Sequence, residues 1–322
     1  MIRDIQPLNR PESEWVDTRE SLMAAVIAQA AHDERIVVLD ADVSKTTRSR
    51  LFREKYPQRH FNVGIAEMHM ASMAAAMAAD GMRPYLCSFA TFLSLRALEP
   101  IRTQIVYPRL PAILMGGYAG LSAMQHGPTH QCIVDLAIYN ALPGVTVLSP
   151  SDSTTAADLA IQALEVNGPV YLRVGYAKQR ILYEPGQVRL GDCCRLCKGN
   201  DALILSTGLS TSNALDAAAL LAAEGIQVTV VDLPTIKPFP VQDVAQLCAG
   251  FRMVFTVEEH VQLGGLYSQT LAALNETSDA RTKVYGINVG DSFAESAPYA
   301  ALKGKFGFDG VGIAKTVRTH LK

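Results

Sequence analysis

Glu67 stands near the start of "FNVGIAEMHMASMAAAMAADG" (residues 61–81), one of the least polar stretches of the chain. An ionised carboxylate is costly to bury unless something compensates it. Two kinds of compensation are open. With a helix starting at Gly64, Glu67 falls at the third position, where it can accept from free backbone N–H groups and meet the positive helix end. Alternatively, a ligand needs the carboxylate. Farther along, "SFATFLSLRA" sets Phe89 and Phe92 three apart at a strand end, suited to stacking on a flat ring. "GGYAGLSAMQHGPTHQCIVDLA" is a glycine-rich loop that lets backbone approach a ligand closely and presents two imidazoles, His126 and His130. The cluster "CCRLC" (Cys193, Cys194, Cys197) suggests a metal. It has no second Cys or His pair at ligand spacing, so a strand leading into the next domain is the better reading.

Buried strands alternating with helices have to position these groups. "RIVVLDADV", "RPYLCSFATF", "LPAILMGG", "GVTVLSPSD" and "GPVYLRVGY" are short apolar runs of the kind found in parallel sheets. "TRESLMAAVIAQAAHD" has helical spacing, with Thr18 placed to cap it. "AKQRILYEPGQ" reads as a linker. A second series follows: "DALILSTG", the helix "TSNALDAAALLAAEG", "IQVTVVDL", a helix over residues 241–248, "RMVFTVEE" and "TKVYGINV". The expected architecture is two doubly wound α/β domains, residues 1–185 and 186–322.

Composition narrows the function. The chain has 322 residues, 49% hydrophobic and 19% charged, which argues against extensive disorder. A formal net charge of -2 gives no reason to expect nucleic acid or an anionic membrane as partner. No run approaches the roughly 20 apolar residues of a membrane span. The start, "MIRDIQPLNRPESEW", does not read as a signal peptide, so the six cysteines are expected to be reduced thiols in a cytoplasmic protein.

Taken in order, the motifs resemble the C-terminal portion of the transketolase family: "TRES" at Thr18, "DADVSKTT" at Asp40, "GIAE" at Gly64, "SFATF" at Ser88, "GPTHQ" at Gly127, "PSD" at Pro150, "LPTIKPF" at Leu233 and "TVEEH" at Thr256. The resemblance implies a pyrimidine-binding domain of thiamine diphosphate enzymes followed by the family's C-terminal domain. It is nearest to the small chain of split, two-subunit transketolases. It implies that Glu67 bonds N1′ of the cofactor's aminopyrimidine, in an apolar setting that strengthens the shared hydrogen bond. Phe92, with Phe89 nearby, is implied to stack on the pyrimidine, a contact worth about 0.5–1.5 kcal/mol beyond burial. By the same resemblance Asp42 is an acid close to the cofactor, and His130 contacts hydroxyls of the sugar donor. Arg19 and Ser44 match positions that hold a sugar phosphate, where an arginine fork is a natural donor.

Departures from the family pattern carry information as well. The family's diphosphate and metal site uses a Gly-Asp-Gly followed later by an Asn, and this sequence has no Gly-Asp-Gly. The expectation is that an N-terminal, diphosphate-binding transketolase subunit supplies that half and holds Mg²⁺, with self-association of the chain besides. His126 stands where many transketolases have an Asp, and Tyr118 where they commonly have a His. Tyr176 takes the place of a second phosphate-binding Arg, and Arg173 would point to the opposite strand face. Losing one charge-assisted bond of roughly 1.5–3 kcal/mol should weaken a phosphorylated sugar by about one to two powers of ten. The implied activity is ketol transfer between sugar phosphates with a non-standard substrate. The β subunit of a 2-oxoacid dehydrogenase, a deoxyxylulose-phosphate synthase-like enzyme and a non-catalytic regulatory subunit remain as alternatives. "GIAE" with "GPTHQ" speaks against the first, and intact Glu67, Phe92 and His130 against the last.

Overall fold

The computed structural model describes residues 1–176, 178–277 and 282–321. Its first sheet has seven strands, in the order Thr235–Lys237, Thr146–Leu148, Val170–Val174, Ile113–Gly117, Arg83–Phe89, Ile36–Asp40 and His60–Asn62. All pair in parallel except the antiparallel edge Thr235–Lys237. The continuous apolar runs follow from burial on both faces. Ile36 and Val38 pack on one side with Leu22, Val26 and Leu159, from helices Thr18–Ala30 and Ser153–Gln162. Val37 and Leu39 face the other way, towards Met70, Ala71 and Ala74 of the helix Glu67–Ala79.

The second sheet has six strands, ordered Ile2–Asp4, Cys193–Cys197, Val228–Asp232, Ala202–Ser206, Met253–Val257 and Lys283–Ile287. Only the pair Cys193–Cys197 with Val228–Asp232 is antiparallel. Helices Ser210–Ala223 and Gly310–Leu321 pack on one face, where Ile204, Val230 and Phe255 meet Ala214, Leu221, Ile313 and Val317. The apolar cluster around Val37 and Met70 runs on into Leu203, Leu205 and Val231, so the two sheets share a core.

Two short strands cross the division expected at residue 185. Ile2–Asp4 completes the second sheet and Thr235–Lys237 the first. The "CCRLC" stretch is a strand, and burial pushes the Cys193 thiol up to about 12, an inert interior group. Two local expectations need correction. The helix in the "TRES" stretch is capped by Asp17, which accepts from the Arg19 N–H, and Thr18 is its first residue. The apolar helix starts at Glu67 rather than Gly64, because Gly64 takes a left-handed φ of 74°. Among the described residues no helix is long and apolar enough to cross a membrane.

Candidate active site

The candidate groups lie at the carboxyl ends of the parallel strands, where open α/β sheets place ligands. Glu67 is the first residue of its helix and only 3% exposed. No backbone N–H donates to it among the described residues. Its partner is Arg96, whose Nη1 donates to Oε1 at 3.1 Å and Oε2 at 3.2 Å. The helix-start explanation of this carboxylate is therefore not what the structure shows. Arg96 ends a π-helical turn, Phe92–Arg96, and its guanidinium carbon lies 4.4 Å from the Phe92 ring centroid.

Beside this pair the strand ends gather an aromatic wall. Phe89 lies 5.3 Å from Phe92 and 4.8 Å from Tyr118. His130 touches both phenylalanines, with ring centroids at 5.3 and 5.4 Å, and lies 5.5 Å from His126. His126 is exposed, and its Nδ1–H donates to the Ala123 carbonyl. His130 is half-buried, its Nδ1 paired with the Thr129 hydroxyl at 2.9 Å. Desolvation pushes its pKa below the usual imidazole range, helped by the His126 and Arg96 charges, so a neutral ring faces the wall at pH 7. Glu67, Phe89, Phe92, His126 and His130 thus come together.

The expected phosphate end looks different. Arg19 is 1% exposed, and Asp17 takes its Nε at 2.9 Å and its Nη2 at 2.5 Å. Its Nη1 donates to the Thr46 carbonyl. Tyr176 covers the guanidinium at 4.2 Å and is stacked in turn on Tyr118 at 4.5 Å and 20°. In this structure the Arg19 guanidinium is engaged by Asp17 and the Thr46 carbonyl beneath the tyrosine stack. Ser44, half-buried, begins the short helix Ser44–Thr47. Asp42 is exposed, in a left-handed conformation (φ 62°), and accepts from Asn62 Nδ2 at 3.2 Å. The buried acid nearby is Asp40, which accepts from Val43, Thr47 and Ser49 and is pushed up by burial.

The glycine-rich loop serves the seam between the sheets as well as the site. At Gly120 (φ +63°) a Cβ would meet the Glu259 side chain at 2.6 Å, so this glycine lets the loop approach the second sheet. Arg173 points away from Tyr176, donating to Asp135 Oδ2 at 2.8 Å and to the Glu259 carbonyl at 2.9 Å. Sequence reasoning missed Arg96 and Asp17. The only signal for Arg96 was one charge in the apolar run "SFATFLSLRA", four residues after Phe92.

These residues fit the pyrimidine end of thiamine diphosphate: a buried carboxylate whose one partner among the described residues is a 49% exposed arginine, beside a half-buried ring. They do not fit a metal, because no three His, Cys, Asp or Glu side chains among the described residues cluster to hold one. Comparisons with known proteins bear on the pyrimidine end. The family model "Transketolase, pyrimidine binding domain" matches residues 14–179, and "Transketolase, C-terminal domain" matches residues 191–313. The chain is 34% identical to a protein of Methanocaldococcus jannaschii named as a transketolase C-terminal section, covering 90% of this chain and 91% of that one. It is 33% identical to a 6-deoxy-6-sulfo-D-fructose transketolase subunit of a Clostridium species, over 92% and 91% of the two chains. Among solved structures, a split gene transketolase described as an inactive β4 tetramer superposes with a TM-score of 0.86 at 34% identity, covering 95% of this chain and 98% of that one. With both domain models matched in order and the fold shared end to end, this chain belongs to the transketolase family.

Proposed function

We propose that this chain is the C-terminal subunit of a two-chain, thiamine-diphosphate-dependent transketolase that moves a two-carbon ketol unit between sugars, at least one of them non-standard. Residues 1–185 form its pyrimidine-binding unit and residues 186–322 its C-terminal unit. A partner subunit holds the diphosphate and Mg²⁺. The single observation that carries the reading is the buried Glu67 carboxylate, held among the described residues only by Arg96 and set beside Phe92. When bound, the cofactor supplies a nucleophilic carbon that takes up and hands on the ketol unit. Glu67 holds a proton against the pyrimidine N1′, and Phe92 with Phe89 stacks on the ring. Neutral His130 accepts from or donates to donor hydroxyls, with His126, Ser44 and Asp42 at the rim.

Partner dependence is supported by the surface around this carboxylate. Ile65, Met68 and Leu95 are 78%, 53% and 58% exposed next to Glu67 and Arg96, an apolar rim that a second chain would cover. The non-standard substrate is supported by Tyr118 and Tyr176 lying over a neutralised Arg19. The name of the Clostridium relative, which specifies a sulfonated sugar, points the same way. Co-purification with a chain carrying Gly-Asp-Gly, followed by ketol-transfer assays, tests the proposal. The complex is expected to prefer unusual donors such as 6-deoxy-6-sulfo-fructose over xylulose 5-phosphate with ribose 5-phosphate. Efficiency of about 10⁴ M⁻¹s⁻¹ or more on the ordinary pair would count against the altered pocket. Micromolar binding of thiamine diphosphate and Mg²⁺ by the single chain would count against the split.

A further inference from the structure

One guanidinium engages both groups that the proposed function gives to the aminopyrimidine. Arg96 donates to both Glu67 oxygens, and it lies over the Phe92 ring. A guanidinium is flat, carries N–H donors on its edge and stacks on aromatic faces. A protonated aminopyrimidine is likewise flat and cationic, and its N1′–H is one donor that a carboxylate can accept, as Arg96 Nη1 is here. The π-helical turn is what makes the overlap: it brings the side chain of its last residue back over its first, Phe92. The two partners differ in their freedom. The Glu67 side chain is 3% exposed and cannot reach water, whereas that of Arg96 is 49% exposed and can.

We propose that Arg96 is an internal placeholder for the aminopyrimidine, a positioning residue that holds Glu67 and Phe92 when no cofactor is bound and must swing off both when the pyrimidine end enters. The proposal rests on the reading of Glu67 as the pyrimidine's partner. It has two consequences. Binding has to break the ion pair, so Arg96 weakens the pyrimidine interaction. Without ligand, Arg96 spares the protein an unpaired buried carboxylate, which is strongly unfavourable. The latch trades affinity for the stability of the empty state.

Thiamine, which lacks the diphosphate, isolates this end of the site. Its affinity for the full chain is measured by ligand-observed NMR in wild type, Arg96→Met, Arg96→Lys and Glu67→Gln, alongside the thermal midpoint of each protein. Arg96→Met is expected to bind thiamine about five- to tenfold more tightly, the scale of a half-exposed ion pair. Its ligand-free midpoint should fall and be recovered by thiamine. Arg96→Lys, a point charge without the flat face, should lie between and serves the same comparison if Arg96→Met does not fold. Thiamine binding that responds to Glu67→Gln yet is unchanged or weakened in both Arg96 variants overturns the placeholder alone. Binding indifferent to Glu67→Gln overturns the reading of the site, and the placeholder with it.

Discussion

The buried acid of the Glu67 corner and three buried acids at the seam between the sheets, Asp135, Asp232 and Glu259, are treated in opposite ways. At the seam, Asp135 is fully buried and receives Tyr171 O–H at 2.7 Å and Arg173 Nε at 2.8 Å. Glu259 accepts from the Leu121 N–H and the Tyr299 hydroxyl. Asp232 takes hydroxyls from Ser151, Tyr183 and Thr211 at 2.6, 2.7 and 2.8 Å. Every one of these acids has two or more donors from elements packed around it. Among the described residues Glu67 has a single donor atom, from a half-exposed side chain. Acids satisfied from several directions hold the fold together. An acid with one removable partner is available to a ligand.

The sharpest way to break this contrast is Glu67→Gln in the assembled enzyme. Losing a proton-handling group of this kind should slow turnover and C2 proton exchange of the cofactor, followed by NMR, by about 10²–10⁴-fold. Folding should be nearly intact. Near-normal turnover with a lowered melting temperature would instead place Glu67 with the seam acids. Next in size, Arg173→Met leaves Asp135 with only the Tyr171 hydroxyl. It should cost about 3–5 kcal/mol in urea unfolding, as breaking a buried pair does. A loss under 1 kcal/mol would show that the seam does not depend on this pair.

The smallest effect sharpens the seam side through pH. Burial pushes the Asp232 carboxyl up to about 6, against the lowering hydrogen bonds from Ser151, Tyr183 and Thr211. An unfolded Asp titrates near 3.9, so the folded chain binds the extra proton between about pH 4 and 6. The stability this contributes is present below pH 4 and is lost as pH rises through 6. Unfolding free energies of wild type minus Asp232→Asn should therefore fall by about 1–3 kcal/mol from pH 4 to pH 7. A difference independent of pH would mean that this carboxyl stays ionised throughout.

How much of this was legible beforehand depended on the distance over which each feature is determined. Strands such as Ile36–Asp40 and Ala202–Ser206 were readable because burial on both faces writes itself as an unbroken apolar run. Ile2–Asp4 and Thr235–Lys237 were not, since three residues carry no periodicity and their pairing partners lie far along the chain. The gathering of Glu67, Phe92 and His130 followed from motifs at neighbouring strand ends. The pairing of Arg19 was not read for a local reason: Asp17, two residues earlier, closes a bidentate pair with it. Arg96 was invisible as a partner because only the π-helical turn carries it back to Glu67.

The two exchanged strands bear on how the chain matures as it leaves the ribosome. Ile2–Asp4 emerges before the strands of the first sheet, yet its partner Cys193–Cys197 is made only after most of them. The Thr146–Leu148 edge stays open until Thr235–Lys237 arrives from within the second unit. Neither half can seal its sheet during synthesis without the other, although domains ordinarily fold as units from the N-terminus. The stretch expected to be a linker is partly packed, with Leu182 and Tyr183 fully buried. Cutting the chain at the exposed residues 184–186 would leave each fragment with a bare strand edge, the surface on which sheets of different molecules pair and aggregate. The halves of this protein are therefore expected to be recoverable in soluble form only when expressed together.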